Sequence, residues 1–170
     1  MKKETTTQVA FTGLFMSMVI VLSMSIFSIP VPGGHLYLCD VVICLAAVLL
    51  NPFEAFIACG VGSFLGDFFF YQPPMFVSLL THGLQGIVVA LISQKTFKTK
   101  PVLASIIAVF VGAIIMVTGY TLGKTFVYAD FKTAMVKLPY EIAQAVVGAI
   151  AGLLLCWKCG IRKIYKKYTK

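Results

Sequence analysis

Side chains that could bind or transform a small molecule are scarce in this 170-residue chain, yet several of them fall at regular spacings. Three pairs lie three or four residues apart: His82 with Gln85, Tyr120 with Lys124, and Glu141 with Gln144. Residues at these separations share one face of a helix, so each pair presents its two polar groups together. Imidazole, amide and carboxylate groups beside aromatic rings suit a flat heteroaromatic solute with hydroxyl groups or ring nitrogens. The pairs therefore indicate a binding site for a small polar molecule.

Catalysis is the weaker interpretation of the same residues. His82 beside Asp67 or Glu141 could exchange protons with a substrate, as an intramembrane enzyme would require. A nucleophile is harder to find, because Ser63 stands in Gly-Val-Gly-Ser-Phe-Leu-Gly and does not fit the GxSxG turn of serine hydrolases. Two histidines are also few for a metal site. The sequence favours binding over catalysis, and predicts no metal, no cofactor and no catalytic residue.

The elements that must position these residues are membrane helices. The chain is 59% hydrophobic and only 12% charged, with a mean hydropathy of +0.96, which is far more apolar than an ordinary soluble domain. Crossing the hydrocarbon core takes about 20 apolar residues as a helix, so this length allows six or seven spans with short loops. The sequence predicts an all-α integral membrane protein in which residues 1–170 form a single six-helix bundle.

Turn-forming residues divide the chain into six apolar segments. The breaks fall at the Pro30–Gly34 stretch, at Asn51-Pro52, at Gln72-Pro73-Pro74, at the polar stretch 94–100 and at a mixed loop 128–138. The predicted spans are about 8–29, 36–50, 53–71, 75–93, 101–127 and 139–159, the last opening at Pro139.

Basic residues set the expected orientation. An even number of spans places both termini on one side, and cytoplasmic loops carry an excess of lysine and arginine. With the termini in the cytoplasm, three basic residues lie outside (Lys124, Lys132 and Lys137) and eleven lie inside (Lys2, Lys3, Lys95, Lys98, Lys100, Lys158, Arg162, Lys163, Lys166, Lys167 and Lys170). Topology therefore explains the net charge of +8 better than nucleic-acid binding does.

With this orientation, the polar residues gather in the outer half of the bundle. The three pairs lie there, and His35, Tyr37 and Asp40 lie in or just under the glycine-rich loop that follows the first segment. A pump or channel needs a polar route through the whole membrane, whereas this chain offers an outward-facing polar cavity above an apolar floor. Binding is favoured, with an autonomous proton-coupled carrier as the alternative. Asp40 is equally well explained by its position at a helix start, and Lys124 by extension to the lipid headgroups.

Small residues four apart recur along the helices. These pairs are Gly13 and Ser17, Gly62 and Gly66, Gly119 and Gly123, and Gly148 and Gly152. Such pairs let helix backbones approach closely in lipid, and most are expected to pack inside the bundle. A pair that faces lipid would instead mark a docking surface for a partner subunit.

Several stretches in order resemble one protein family. They are Pro32-Gly-Gly-His-Leu-Tyr-Leu-Cys-Asp40, Asn51-Pro-Phe-Glu-Ala, Gly60-Val-Gly-Ser-Phe-Leu-Gly-Asp67, His82-Gly-Leu-Gln-Gly86 and Pro139-Tyr-Glu-Ile-Ala-Gln-Ala-Val-Val-Gly148. Together with the length and the six segments, they resemble the substrate-binding S components of energy-coupling factor (ECF) vitamin importers. The similarity is greatest to the group that includes riboflavin, hydroxymethylpyrimidine, pyridoxine and pantothenate S components.

This resemblance implies a function and a set of partners. The chain would capture a vitamin or vitamin precursor from outside a bacterial cytoplasmic membrane, with the loop after the first helix acting as a lid. A transmembrane coupling protein and two cytoplasmic ATPases would complete the importer, and the absence of a GxxxxGK[ST] phosphate loop here agrees with ATP use by those partners. Gly13 and Ser17 stand where the family carries two alanines in its docking motif.

The likeness leaves the substrate open. The family often has lysine where His82 stands and asparagine where Glu141 stands, and both positions fall in the expected site. A pyridine or pyrimidine derivative, namely pyridoxine or hydroxymethylpyrimidine, is the first expectation. Pantothenate, riboflavin, a queuosine precursor and cobalamin remain as alternatives.

Overall fold

The computed structural model describes residues 3–96 and 99–169, which form seven helices and one β-hairpin. The elements are α1 (Lys3–Leu22), β1 (Ser28–Val31), β2 (Gly34–Tyr37), α2 (Cys39–Leu49), α3 (Pro52–Phe70), α4 (Met75–Lys95), α5 (Pro101–Tyr128), α6 (Phe131–Trp157) and α7 (Ile161–Thr169). Three of the basic residues counted above, Lys2, Lys98 and Lys170, lie outside the described residues.

Four helices, α3 to α6, are long and apolar enough to cross a membrane. The apolar parts of α1 and α2 are shorter, at Thr6–Leu22 and Cys39–Leu49. An 11-residue helix such as α2 rises about 16 Å, roughly half of the hydrocarbon core. All of α2 except Val41 is buried, because α1, α4 and α6 pack around it. The short helix is therefore the centre of the bundle.

The first predicted segment ends too late. It was expected to run to residue 29, but α1 ends at Leu22, and Ser28–Val31 pairs with Gly34–Tyr37 in an antiparallel hairpin. Residues 23–31 are as apolar as the helix before them, so hydropathy alone does not reveal where the helix stops. The expected second segment, from residue 36, likewise includes two residues of β2.

The sixth predicted segment begins eight residues too late. Helix α6 starts at Phe131, within the stretch 128–138 that was expected to be a loop, and Pro139 lies inside it. The Asp130 side chain accepts a hydrogen bond from the Thr133 N–H at 3.0 Å, which caps the helix start. Pro139 lacks an N–H and cannot complete the helical ladder, yet prolines are tolerated inside membrane helices. The correction moves Lys137 from a loop onto α6.

Three of the small-residue pairs pack inside the bundle. A Cβ atom added at Gly119 or Gly123 would lie 2.5 Å from Thr81 or 2.4 Å from Val77. Cβ atoms added at Gly148 and Gly152 would likewise contact α2, and those added at Gly62 and Gly66 would contact α1 or the residue that follows it. Gly13 differs, since a Cβ there would meet no atom of residues 3–96 and 99–169 within 4 Å, and Ser17 is exposed. The fourth pair therefore lies on an uncovered face of α1.

Candidate binding cavity

A polar cavity lies under the β-hairpin, at the end of the bundle where α2, α4 and α6 begin and α3 and α5 finish. Seven of the nine residues expected to bind a solute line it: His35, Tyr37, His82, Tyr120, Lys124, Glu141 and Gln144. The space that the centres of water molecules can occupy inside it is only about 40 Å³. Because one water needs roughly 10 to 15 Å³ by this measure, the covered cavity has room for a few waters.

The hairpin turn closes over the cavity. Val31 pairs with Gly34, which leaves Pro32 and Gly33 at the two central positions of the turn. Proline followed by glycine suits a type II turn, whose third residue needs a positive φ, and Gly33 has a φ of 82°. A Cβ on Gly33 would lie 3.2 Å from the Cβ of Lys137, so the turn rests directly on α6.

Two polar contacts hold the hairpin to the helices. Lys124 Nζ donates a hydrogen bond to the carbonyl of Gly33 at 3.3 Å. The Tyr37 N–H donates to Gln144 Oε1 at 3.0 Å, and Gln144 Nε2 donates in turn to Asp40 Oδ2. Burial raises the pKa of the Tyr37 phenol, which therefore stays protonated and can donate a hydrogen bond.

A charged cluster forms the wall on the α5 and α6 side. Glu141 is 1% exposed, and its Oε1 lies 3.8 Å from Lys124 Nζ and 3.7 Å from Lys137 Nζ. The other oxygen, Oε2, accepts from Thr121 Oγ1 at 3.5 Å. These distances are long for hydrogen bonds, and Oε1 has no hydrogen-bond partner among the described residues. The carboxylate is therefore paired in charge but retains hydrogen-bonding capacity.

An aromatic and acidic cluster from α3, α4 and α5 forms another part of the lining. Ser78 Oγ donates to Asp67 Oδ2 and lies 2.6 Å from Tyr120 Oη, so a carboxylate, a hydroxyl and a phenol form one chain of hydrogen bonds across α3, α4 and α5. The His82 and Tyr120 rings lie 5.3 Å apart between centroids. This wall offers ring faces beside hydrogen-bonding groups, the combination that a heteroaromatic solute requires.

Two of the nine expected residues do not line this cavity. Gln85 is 2% exposed and lies behind His82, where its Oε1 is 2.8 Å from His82 Nδ1. Asp40 lies beneath Gln144 and lines a separate, mainly apolar cavity between β2, the start of α2 and α6. Both therefore orient residues that line the polar cavity.

Several residues that line the cavity were not among those predicted from the sequence. Lys137 was assigned to a loop, and Asp67 was considered only as a proton-exchange partner of His82. Ser63 has a buried Oγ with no hydrogen-bond partner among the described residues, and Met116 and two further tyrosines, Tyr71 and Tyr128, also line the cavity. The i, i+4 spacing of Lys137 and Glu141 was the one available signal, since it places an ion pair on a single helix face.

Comparison with known proteins supports the resemblance noted above. A profile of the family described as ECF-type riboflavin transporter, S component, matches residues 3–162. A protein of Pyrococcus woesei, described as an uncharacterized protein in gap 3'region, is 33% identical over 126 residues, which cover 73% of this chain and 82% of the relative. A UPF0397 protein of Streptococcus gordonii is 28% identical over 157 residues, covering 87% and 84%. The chain therefore belongs to the S component family of ECF-type transporters, which are membrane transport subunits rather than enzymes.

Proposed function

We propose that this chain captures a small water-soluble vitamin or vitamin precursor at the outer surface of a bacterial cytoplasmic membrane. The solute binds in the cavity beneath the hairpin, and the hairpin acts as a lid. The chain itself uses no cofactor. A transmembrane coupling protein and two cytoplasmic ATPases assemble with the loaded subunit. The ATPases consume ATP, and the solute is delivered to the cytoplasm.

The covered polar cavity at one end of the bundle is the observation that best supports this proposal. Beyond it, the centre of the bundle is apolar, with Ile43, Ala46, Ala47 and Leu50 all at most 2% exposed. A solute that entered under the hairpin would find hydrogen-bonding groups there and, among the described residues, an apolar bundle centre beyond them. Such an arrangement suits capture and handover to partners better than passage through this chain alone.

A single-ring solute is our first candidate for the ligand. His82, Tyr120 and Glu141 offer ring faces and hydrogen-bonding groups within one small space, which suits pyridoxine or hydroxymethylpyrimidine. The cavity is too small for either while the lid is closed, so binding requires the hairpin to rise. Riboflavin is the second candidate, because the matching family is described as riboflavin transporter S components. Its three fused rings would require a larger opening.

Calorimetric titration of the purified chain with these three compounds tests the ligand assignment. We expect one single-ring compound to bind with a stoichiometry near one and at least about tenfold more tightly than riboflavin. Tighter binding of riboflavin would contradict the single-ring choice but leave the capture function standing. Reconstitution of the chain alone in ATP-free liposomes tests the function itself, because sustained uptake there would instead show an autonomous carrier.

The proposed orientation places both termini in the cytoplasm, with α1 and α2 completing six spans. A native cysteine can be labelled to test this orientation, because Cys159 is exposed just before α7 while the other four cysteines are buried. An impermeant thiol reagent should label Cys159 only after cells are permeabilised. In a Cys159→Ser background, Ile29→Cys on the exposed edge of the hairpin should be labelled in intact cells. The reverse pattern would place the cavity on the cytoplasmic side and overturn outward capture.

The uncovered face of α1 is the proposed docking surface for the coupling protein. Gly13 and Ser17 lie on it, and Val9, Leu14 and Val21 are exposed around them. Ser17 Oγ donates to the carbonyl of Gly13 at 2.8 Å, so its hydroxyl is satisfied within the helix and need not face water. A helix of the coupling protein could therefore approach this face closely in lipid.

A further inference from the structure

The short C-terminal helix α7 lies at the opposite end of the bundle from the polar cavity. Gly160, with a φ of 76°, separates it from α6, so α7 turns away from the axis of that helix. Tyr165 is buried and packs edge-on against Phe11 of α1, with ring centroids 5.0 Å apart. The helix is therefore held against the bundle as an ordered element.

Helix α7 is strongly amphipathic, with a basic face and an apolar face. Its sequence carries four basic residues and no acidic one, and these lie on one side of the helix: Arg162, Lys163, Lys166 and Lys167. On the other side, Ile164 and Tyr168 flank Tyr165 and are 53% and 58% exposed. The apolar face is thus wider than the part that α1 covers. A helix with this division, at the end of a membrane bundle, suits the boundary between acyl chains and headgroups.

A groove beside α7 is lined by its basic residues. It lies between α7, the end of α6 and the start of α5, and water centres can occupy about 210 Å³ of it. Arg162, Lys163 and Lys166 line it together with Trp157 and Pro101. The Arg162 guanidinium lies 4.2 Å from the centre of the Trp157 ring, so the ring keeps it in place. Glu54 lies in the first turn of α3, at the same end of the bundle. It is engaged in the capping box with Asn51 and does not line the groove.

We propose that this groove binds the headgroup of an anionic phospholipid, with α7 lying in the plane of the membrane surface. Ile164 and Tyr168 would enter the acyl boundary, while the groove lysines and Arg162 contact the phosphate. Tryptophan is enriched at this depth of the membrane, which places Trp157 beside the headgroups. Because α7 packs on α1, lipid bound here would also steady the inner end of the proposed docking helix.

The single tryptophan of the chain supplies the measurement, since Trp157 lines the groove itself. The full chain is placed in lipid vesicles, which add no tryptophan of their own, and a minority of the lipids carry brominated acyl chains that quench tryptophan on contact. Bromine is placed either on phosphatidylglycerol or, in the paired sample, on phosphatidylcholine. We expect phosphatidylglycerol to quench Trp157 several times more strongly at the same mole fraction. Equal quenching by the two lipids would overturn the proposal.

A matched pair of variants distinguishes lipid binding in the groove from diffuse attraction of the lipid to positive charge. Lys163→Gln removes a groove residue, and Lys158→Gln removes an exposed lysine next to Trp157 that does not line the groove. Loss of a direct contact to a charged phosphate weakens binding more than about tenfold, whereas loss of the diffuse attraction of one basic residue to an anionic surface weakens it roughly fivefold at most. We expect Lys163→Gln to remove most of the preference for phosphatidylglycerol, Lys163→Arg to keep it, and Lys158→Gln to have the smaller effect. Equal losses in Lys163→Gln and Lys158→Gln would show diffuse attraction and contradict a specific groove.

Two further measurements require no variant. Added salt should reduce the lipid preference, because the screening length shortens from about 10 Å at 0.1 M to 3 Å at 1 M. Inorganic phosphate at matched ionic strength should not displace the lipid beyond the effect of chloride, whereas specific displacement would assign the groove to a free phosphate anion instead. If the lipids quench equally but Lys163→Gln weakens copurification with the coupling protein, the groove contacts an acidic protein surface and the lipid assignment is wrong.

Discussion

The polar cavity and the outer face of α1 are opposite in character. In the cavity, polar groups from the four helices α3 to α6 come together, and several are bonded to one another, as in the chain from Asp67 through Ser78 to Tyr120. On α1, Gly13 is half-buried and Ser17 is exposed, and no atom of the described residues would lie within 4 Å of a Cβ added at Gly13. A buried polar surface suits a solute that brings hydrogen bonds, and an uncovered small-residue surface suits another helix in lipid.

The difference indicates that binding and coupling are separable within one small bundle. Changes in the cavity should alter affinity for the solute and leave assembly with partners intact. Changes on the face of α1 should do the reverse. The packed pair Gly119 and Gly123 gives a reference for what the same substitutions do where the space is filled.

The largest effect is expected from Gly13→Leu combined with Ser17→Leu. Two bulky side chains on the face would hold a partner helix away, so ATP-driven uptake should fall to background while solute affinity stays within about twofold. Uptake in cells or proteoliposomes with the partner subunits, beside titration of the isolated chain, measures both. Gly119→Leu with Gly123→Leu is the matched control and should fail to purify as folded protein. Intact uptake in the α1 variant would remove this face from the coupling surface.

His82→Ala and Glu141→Gln should weaken binding about five- to a hundredfold each. The loss of one polar contact in a water-poor cavity costs about 1 to 3 kcal/mol, which converts to that range. Assembly with the coupling protein should not change, because neither residue reaches the face of α1. Glu54→Gln, at the other end of the bundle, controls for the loss of a carboxylate.

A purely structural role would give a different pattern in these variants. Thermal melting of the empty protein would then fall while affinity per folded molecule stayed the same. Glu141→Gln is expected to show some loss of melting temperature in addition to lost affinity, because two lysines lose their counter-charge. Unchanged affinity in both variants would exclude them from the site.

Gln85→Leu should have a smaller and indirect effect. Its amide oxygen bonds to His82 Nδ1, and a neutral hydrogen bond contributes about 0.5 to 1.5 kcal/mol, so affinity should fall roughly two- to twelvefold. A double-mutant cycle provides the check. In the His82→Ala background, Gln85→Leu should cost little further affinity, because the ring that it orients is gone. Additive losses would mean that Gln85 contacts the solute itself.

The smallest effect should come from Asp130, which belongs to neither region. Hydrogen bonds from the Thr133 backbone and side chain lower the pKa of this carboxyl from its usual value. Its contribution to stability is therefore present above the unfolded pKa of about 3.9 and is lost as pH falls through the folded pKa. Asp130→Ala should melt slightly below the unmodified chain at neutral pH, and the two curves should converge under acid conditions. Solute affinity and uptake should be unaffected.

Much of the site was predictable because helix periodicity brings polar residues onto common faces. His82, Tyr120, Lys124, Glu141 and Gln144 were found by spacing alone, and all five line one cavity. The order of the segments also predicts that these faces meet at one end, since successive helices reverse direction.

Features that depend on contacts between distant residues were not predictable. The hairpin forms because Ser28–Val31 pairs with Gly34–Tyr37, and an apolar sequence does not distinguish such a strand from a continuing helix. Lys137 enters the site because α6 continues back through Pro139 to the cap at Asp130. Gln85 shares a helix face with His82 but lies behind it, which spacing cannot resolve. Helix α7 was not predicted, because its residues follow the last apolar segment and its basic side chains were used only to assign the topology.

Mass spectrometry of the solute that copurifies with the detergent-extracted chain tests the central claim most directly. We expect one small polar heteroaromatic compound in near-equimolar amount, both in the unmodified protein and in the Gly13→Leu, Ser17→Leu variant. The same compound should be absent from the His82→Ala, Glu141→Gln variant, although that variant should remain folded. A compound retained equally in all three proteins, or none in the unmodified protein, would contradict capture by this cavity.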